Sequence, residues 1–222
     1  MARLITAVAI TGAFALALAP AASATGCKGE DVQAADQSAT QVEGAVLCLI
    51  NQRRADAGVQ PVHRNDRLAQ AAVRHSRDMV ERRFFAHTAP GGATFMDRIA
   101  DTGYMQGARS WLVGENLVWG SGELGTPASL VNAWMESPPH RDNLLRARFR
   151  EVGVGAMRGS PVDGADQNAM TVASEYGFRA GKKPGSAKAR KAKKARKAKR
   201  ARKARKARKA RARARARAHA RA

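Results

Sequence analysis

Two histidines and one glutamate are the residues of this chain best placed for chemistry. His87 follows the end of a helical stretch, in the run Glu81-Arg82-Arg83-Phe84-Phe85-Ala86-His87. Phe84 and Phe85 would anchor the chain there and turn His87 toward a cleft. Glu115 sits in Trp111-Leu112-Val113-Gly114-Glu115-Asn116-Leu117-Val118-Trp119-Gly120, apolar at both ends and polar in the middle. A carboxylate in such a setting must find hydrogen-bond donors or a cation. His140 follows Pro138-Pro139 in the dense stretch 132–155, which holds a helix end, a proline break, a second short helix and a strand. Imidazole and carboxylate are the usual side chains of acid–base and ligand chemistry near neutral pH. A fourth candidate, His75, lies with Leu68, Ala72 and Met79 on a helical apolar stripe. A lone histidine there reads first as a core residue.

The elements that must carry these residues follow from periodicity. Val42, Val46, Leu49, Ile50 and Arg53 recur at helical spacing over 41–57, and Gly58 ends that helix. Asn51 beside the stripe suits a hydrogen bond to a neighbouring loop. Residues 61–64 form a short extended link, and Asp66 is the expected N-cap of the next helix, which ends near Arg83. Thr94 and Asp97 open another helix in the manner of a capping box, and Gly103 stops it. Thr126 is the expected cap of a helix with Pro127 at its first position. Pro138-Pro139 ends that helix, and a short helix starts at His140. Residues 151–157 alternate with glycine, as a closely packed strand does, and 169–177 alternate again, so the two pair as a hairpin. Helices, a strand, a helix and two strands make an α+β order, not a βαβ repeat.

Composition separates three regions. The chain has 222 residues and a formal charge of +22. Residues 182–222 hold 22 Lys/Arg and no acid, which leaves 18 basic against 18 acidic side chains in the rest. Residues 1–24 have Arg3, an apolar run from Leu4 to Leu18, and Ala22-Ser23-Ala24 as a cleavage site. This reads as a secretory signal peptide, shorter in its apolar run than the ~20 residues a membrane span needs. Residues 25–180 are enough for one compact domain. In an exported chain, Cys27 and Cys48 are expected to form a disulfide. From 181 onward a linker leads into Ala-Lys-Arg repeats whose three-residue period makes no apolar stripe and whose like charges repel, so the tail is expected to be disordered. Its expected partners are polyanions: anionic cell-surface polymers, an anionic membrane surface, or nucleic acid without sequence preference.

Six motifs in order resemble the CAP superfamily (cysteine-rich secretory, antigen 5 and pathogenesis-related proteins, the SCP domain) in its compact bacterial form. They are Leu49-Ile50-Asn51-x-x-Arg54; Ala72-x-x-His75-x-x-Asp78-Met79; Phe85-x-His87; Gly114-Glu115-Asn116-Leu117; Ala133-Trp134-Met135-x-Ser137-Pro138-x-His140-Arg141-x-Asn143-Leu144-Leu145; and Val152-Gly153-Val154-Gly155. The resemblance implies a three-layer α-β-α sandwich with a central, mainly antiparallel sheet and a surface cleft. It assigns His87, Glu115 and His140 to that cleft, with Glu136 as the second carboxylate. It also implies a binding module for a lipid or protein ligand. His87 and His140 are the metal candidates, and zinc is the divalent cation that imidazole suits. Two alternatives use the same chain differently. One is a metal-assisted hydrolase, or a Ser-His-Glu set from Ser137, His140 and Glu115. The other is a polyanion-binding structural protein. Export predicts a secreted, cell-wall-associated location.

Overall fold

The computed structural model describes residues 26–163 and 168–182, with the isolated positions 195, 196, 198, 199 and 202. The expected signal peptide, and the tail from 183 apart from those five positions, lie outside the described residues. Among the described residues five α-helices and four strands run in the order α1 (Ala39–Asp56), β1 (His63–Arg64), α2 (Asp66–Arg82), α3 (Phe95–Asp101), β2 (Ala108–Gly120), α4 (Pro127–Glu136), α5 (Pro138–Leu144), β3 (Glu151–Arg158) and β4 (Met170–Lys182). The strands form one sheet in the order β1-β3-β4-β2. β3, β4 and β2 are antiparallel neighbours, and only the two-residue β1 pairs in parallel, with β3. The fold is the expected α+β class with a mainly antiparallel sheet.

Side chains alternate across the strands and build a core on each face. On one face Val152, Val154 and Ala156 of β3 and Val172 and Tyr176 of β4 pack with Val42, Val46, Leu49 and Ile50 of α1 and with Leu130, Val131 and Trp134 of α4. On the other, Ala173 and Leu117 meet Ala72 and Met79 of α2, while Leu68 and Ala71 meet Ile99 and Tyr104. The glycines of β3 set the second layer. A Cβ on Gly153 would lie 1.9 Å from the Ala69 nitrogen, and one on Gly155 would lie 2.2 Å from the Val73 nitrogen. Helix α2 thus rests its backbone directly on β3.

Local chemistry fixes the helix ends. Ser38 and Thr94 both make full capping boxes, with Gln41 and Asp97 respectively. The cap of α2 is Asn65, whose side chain accepts from the Arg67 and Leu68 amides, and the expected cap Asp66 is the first helical residue. Arg83 closes α2 in the left-handed region, φ 54°. Pro138 and Pro139 end α4 as expected, yet they also begin α5, two residues before His140. Proline lacks only an amide that a first turn leaves unpaired. The expected disulfide joins Cys27 to Cys48, tying the N-terminal segment to α1.

The buried arginine of α1 is Arg54. Arg53, which the sequence placed on the stripe, is partly exposed beside Asp56. Arg54 donates to the carbonyls of Gln60 at 2.8 Å, Leu144 at 2.6 Å, and Arg146 and Phe149 at 3.3 Å. Its charge therefore lies at the C-terminal end of α5, where the helix dipole favours a cation.

A cleft on the edge strand

Gly114, Glu115 and Asn116 sit in the middle of the edge strand β2, and each has a separate structural reason. A Cβ on Gly114 would come within 3.0 Å of the Asn143 side chain and 3.1 Å of Phe149, so glycine lets α5 close onto the strand. Asn116 points to the α5 side and donates to the His140 carbonyl at 2.9 Å. Asn143 returns the contact, donating to the Glu115 carbonyl at 3.1 Å and to Asn116 Oδ1 at 3.2 Å. Trp134 Nε1 donates to the Leu117 carbonyl at 2.9 Å. These bonds fasten α4 and α5, and so His140, along the strand.

Glu115 points to the opposite face, toward α2 and α3, and its side chain is fully buried. Oε1 lies 2.7 Å from His87 Nδ1, and Oε2 lies 2.6 Å from Arg98 Nη2. The loop carrying His87 is pinned from two helices. His75 Nε2 donates to the Ala86 carbonyl at 3.0 Å, and its ring lies 5.8 Å from that of Phe84. Arg98 Nη1 donates to the carbonyls of His87 and Ala93, each at 3.1 Å. The His87 side chain remains 53% exposed. With Nδ1–H given to the carboxylate, Nε2 presents its lone pair outward, which is the arrangement of a base or a ligand.

Charge states follow from burial and partners. Burial pushes the Glu115 carboxyl up, but hydrogen bonds from His87 and Glu175 and the Arg98 charge outweigh it and hold the group below the usual range. Burial lowers His75, against the opposing pull of Glu115, so its 3.9 Å approach to Glu115 Oε2 is a polar contact and not an ion pair. His140 is lowered by burial and then by the neighbouring His87.

His87, from the α2 side, and His140, from the α5 side, therefore lie within electrostatic reach of each other at the edge of β2. His140, but not His87, is in the lining of a hollow of about 240 Å³, together with Phe85, Leu117, Val118, Trp119, Ala133, Trp134 and Ser137. Glu136 does not line it. It is exposed, two helical positions and about 200° around α4 from the buried Trp134. The second carboxylate beside Glu115 is Glu175, from β4. Its signal in the sequence is the same as that of Glu115, an acid inside an apolar strand. Arg98 carries no such signal, because it reads as an ordinary helix-surface residue. Ser137 lines the hollow, and among the described residues no hydrogen bond joins it to either histidine. Among the described residues no three of His, Cys, Asp and Glu are grouped to hold a metal ion.

Known proteins agree with this architecture. The family described as the cysteine-rich secretory protein family, CAP, matches residues 47–176. The uncharacterized protein YkwD of Bacillus subtilis (strain 168) is 31% identical over 134 residues, 60% of this chain and 49% of that protein. The uncharacterized membrane protein YlbC of the same organism is 29% identical over 119 residues, 54% of this chain and 32% of its own length. The chain thus spans half or less of these curated relatives. An outer surface protein from Borrelia burgdorferi shares the fold, with a TM-score of 0.53 at 22% identity, over 64% of this chain and 96% of that one.

Proposed function

The chain belongs to the cysteine-rich secretory protein (CAP) family, and on that premise we propose that it is an exported binding module. Its ligand site is the cleft of His87, Glu115 and His140, and its Lys/Arg-rich tail attaches it to anionic polymers or an anionic membrane surface. The observation that carries the first half is the join between the hollow and the histidines. An apolar, aromatic-walled recess has His140 in its lining, and His140 lies within electrostatic reach of His87, whose imidazole a buried carboxylate orients. Its volume, about 240 Å³, is below the ~300 Å³ at which sites for whole drug-sized ligands begin, so it suits one apolar end group, a lipid chain end or an aromatic side chain. His87 and His140 would meet the polar part. The second half is supported by the 22 basic residues of 182–222.

Binding of the fluorescent fatty acid cis-parinaric acid to the full mature chain tests the cleft. Phe85→Asp or His140→Asp is expected to weaken it at least about tenfold, which is ~1.4 kcal/mol. Affinities that match the unaltered protein sink the reading. Cosedimentation with phosphatidylglycerol vesicles tests the tail. Binding is expected to fall steeply between about 50 and 200 mM salt through counterion release. Binding that ignores salt removes the electrostatic account. One observation favours hydrolysis as a second reading: the Nε2 lone pair of His87 backed by Glu115 is the geometry of a general base. Ester or peptide turnover lost in His87→Ala would establish it.

A further inference from the structure

Glu175, midway along β4, is fully buried, and among the described residues neither of its carboxyl oxygens has a donor while the groups around it keep their ordinary ionised forms. The β2–β4 register sets it opposite Glu115, and its β3 partner, Gly153, has no side chain to offer. The titratable and charged groups around the two acids are few. Arg98 comes from α3, His75 from α2 with Asp78 beside it, and His87 from the loop after α2. Among the described residues Arg98 is the one permanent cation acting on both acids, and its Nη2 is already committed to Glu115.

Two carboxylates side by side in a place closed to water cannot both ionise, and a buried ion without a partner neutralises. One proton resolves the pair. We propose that Glu175 is a positioning residue for the cleft: a neutral carboxylic acid that donates its O–H to Glu115 and leaves Glu115 the single anion. The division of roles follows from the surroundings. Glu115 has His87 and Arg98 as donors, whereas Glu175 has neither. Burial and the adjacent Glu115 charge raise the Glu175 carboxyl well above the usual range, in the same sense. The bond from Glu175 is the third on Glu115. With Oε1 on His87, Oε2 on Arg98 and the acid across the ladder, the carboxylate has no rotation left to it. His87 inherits that fixed direction through its Nδ1–H. Removing the third bond frees the carboxylate to turn, and the imidazole with it.

The test uses the full mature chain. Glu175→Gln keeps a donor of the same shape but carries no titrating proton, and Glu175→Leu removes the donor. The wild type holds a proton in the native state that the unfolded chain releases above its ordinary carboxylate pKa of 4.5. Its stability contribution is therefore complete below that value and is lost as pH rises toward the native pKa. The folding constant of the wild type should fall relative to that of Glu175→Gln by up to about tenfold per pH unit across that range. In NMR the His87 ring resonances should be retained by Glu175→Gln and displaced by Glu175→Leu, since only the first keeps a donor on Glu115. In 13C-glutamate-labelled wild type, one carboxyl resonance should remain at the protonated position at about pH 7. Parallel pH profiles for wild type and Glu175→Gln would overturn the assignment. So would the absence of that resonance, which decides the matter even if the variants do not fold.

Discussion

His87 Nδ1 and Glu115 Oε1 are 2.7 Å apart, with the carboxylate wholly buried and the imidazole half in solvent. The pair has one end fixed by the protein and one end free. Removing each end should therefore have different consequences. Glu115→Gln leaves Arg98 a nearly buried cation without its anion, and should cost about 3–5 kcal/mol in urea denaturation. His87→Ala takes one donor from the buried carboxylate but opens that end to water and leaves Arg98 paired, so it should cost less, about 1–2 kcal/mol. Equal losses would mean that Arg98 is not held by Glu115 in solution.

Acid should act through His75. Its native pKa lies below the unfolded 6.5, so as pH falls the unfolded chain takes up the proton first. The stability contributed by neutral His75 is full above that value and is lost as pH falls through the window below it. His75→Gln cannot titrate. Its deficit relative to wild type should shrink by up to about tenfold in the folding constant per pH unit below 6.5. A deficit that stays constant from pH 7 to pH 5, followed by far-UV circular dichroism, would show that His75 is not the titrating group.

Arg54 should be the costliest polar residue outside the cleft. Arg54→Met takes their donor from the Gln60 and Leu144 carbonyls and empties a buried site, whereas the Phe149 and Arg146 carbonyls keep Arg150 Nη1 and the Phe149 amide. A loss of at least about 3 kcal/mol is expected from the unsatisfied groups together. Arg54→Lys should recover little of it, since one ammonium cannot span four carbonyls. Because α5 carries His140, hydrogen exchange of the α5 amides should rise in both variants. Unchanged exchange would separate Arg54 from the cleft.

Local signals were the readable ones. The capping boxes at Ser38 and Thr94, the proline starts and the strand alternation follow from short-range chemistry, and the α+β order followed from them. Gly114-Glu115-Asn116 was readable because an acid between apolar flanks has few explanations. What the sequence could not show needed a third dimension. Arg53 and Arg54 are equally basic, and only the direction of the α1 stripe toward α5 picks the second. Asn65 and Asp66 both suit a cap, and it is Asn65 whose backbone is still extended and whose side chain accepts from the Arg67 and Leu68 amides. Glu175 meets Glu115 through a strand register that no local pattern encodes. Arg98 joins them because α3 leans over the loop that holds His87.

The fastening of α4 and α5 to β2 has one more effect. β2 is a thirteen-residue strand at the border of the sheet, and such a border is a template for a second chain to extend. Trp134 and Asn143 occupy the carbonyls of Leu117 and Glu115 with side-chain donors. At these two positions in the middle of the border, a second strand would find the acceptors already taken. The two bonds that hold α4 and α5 against β2 thus also take two backbone acceptors out of the open border of the sheet.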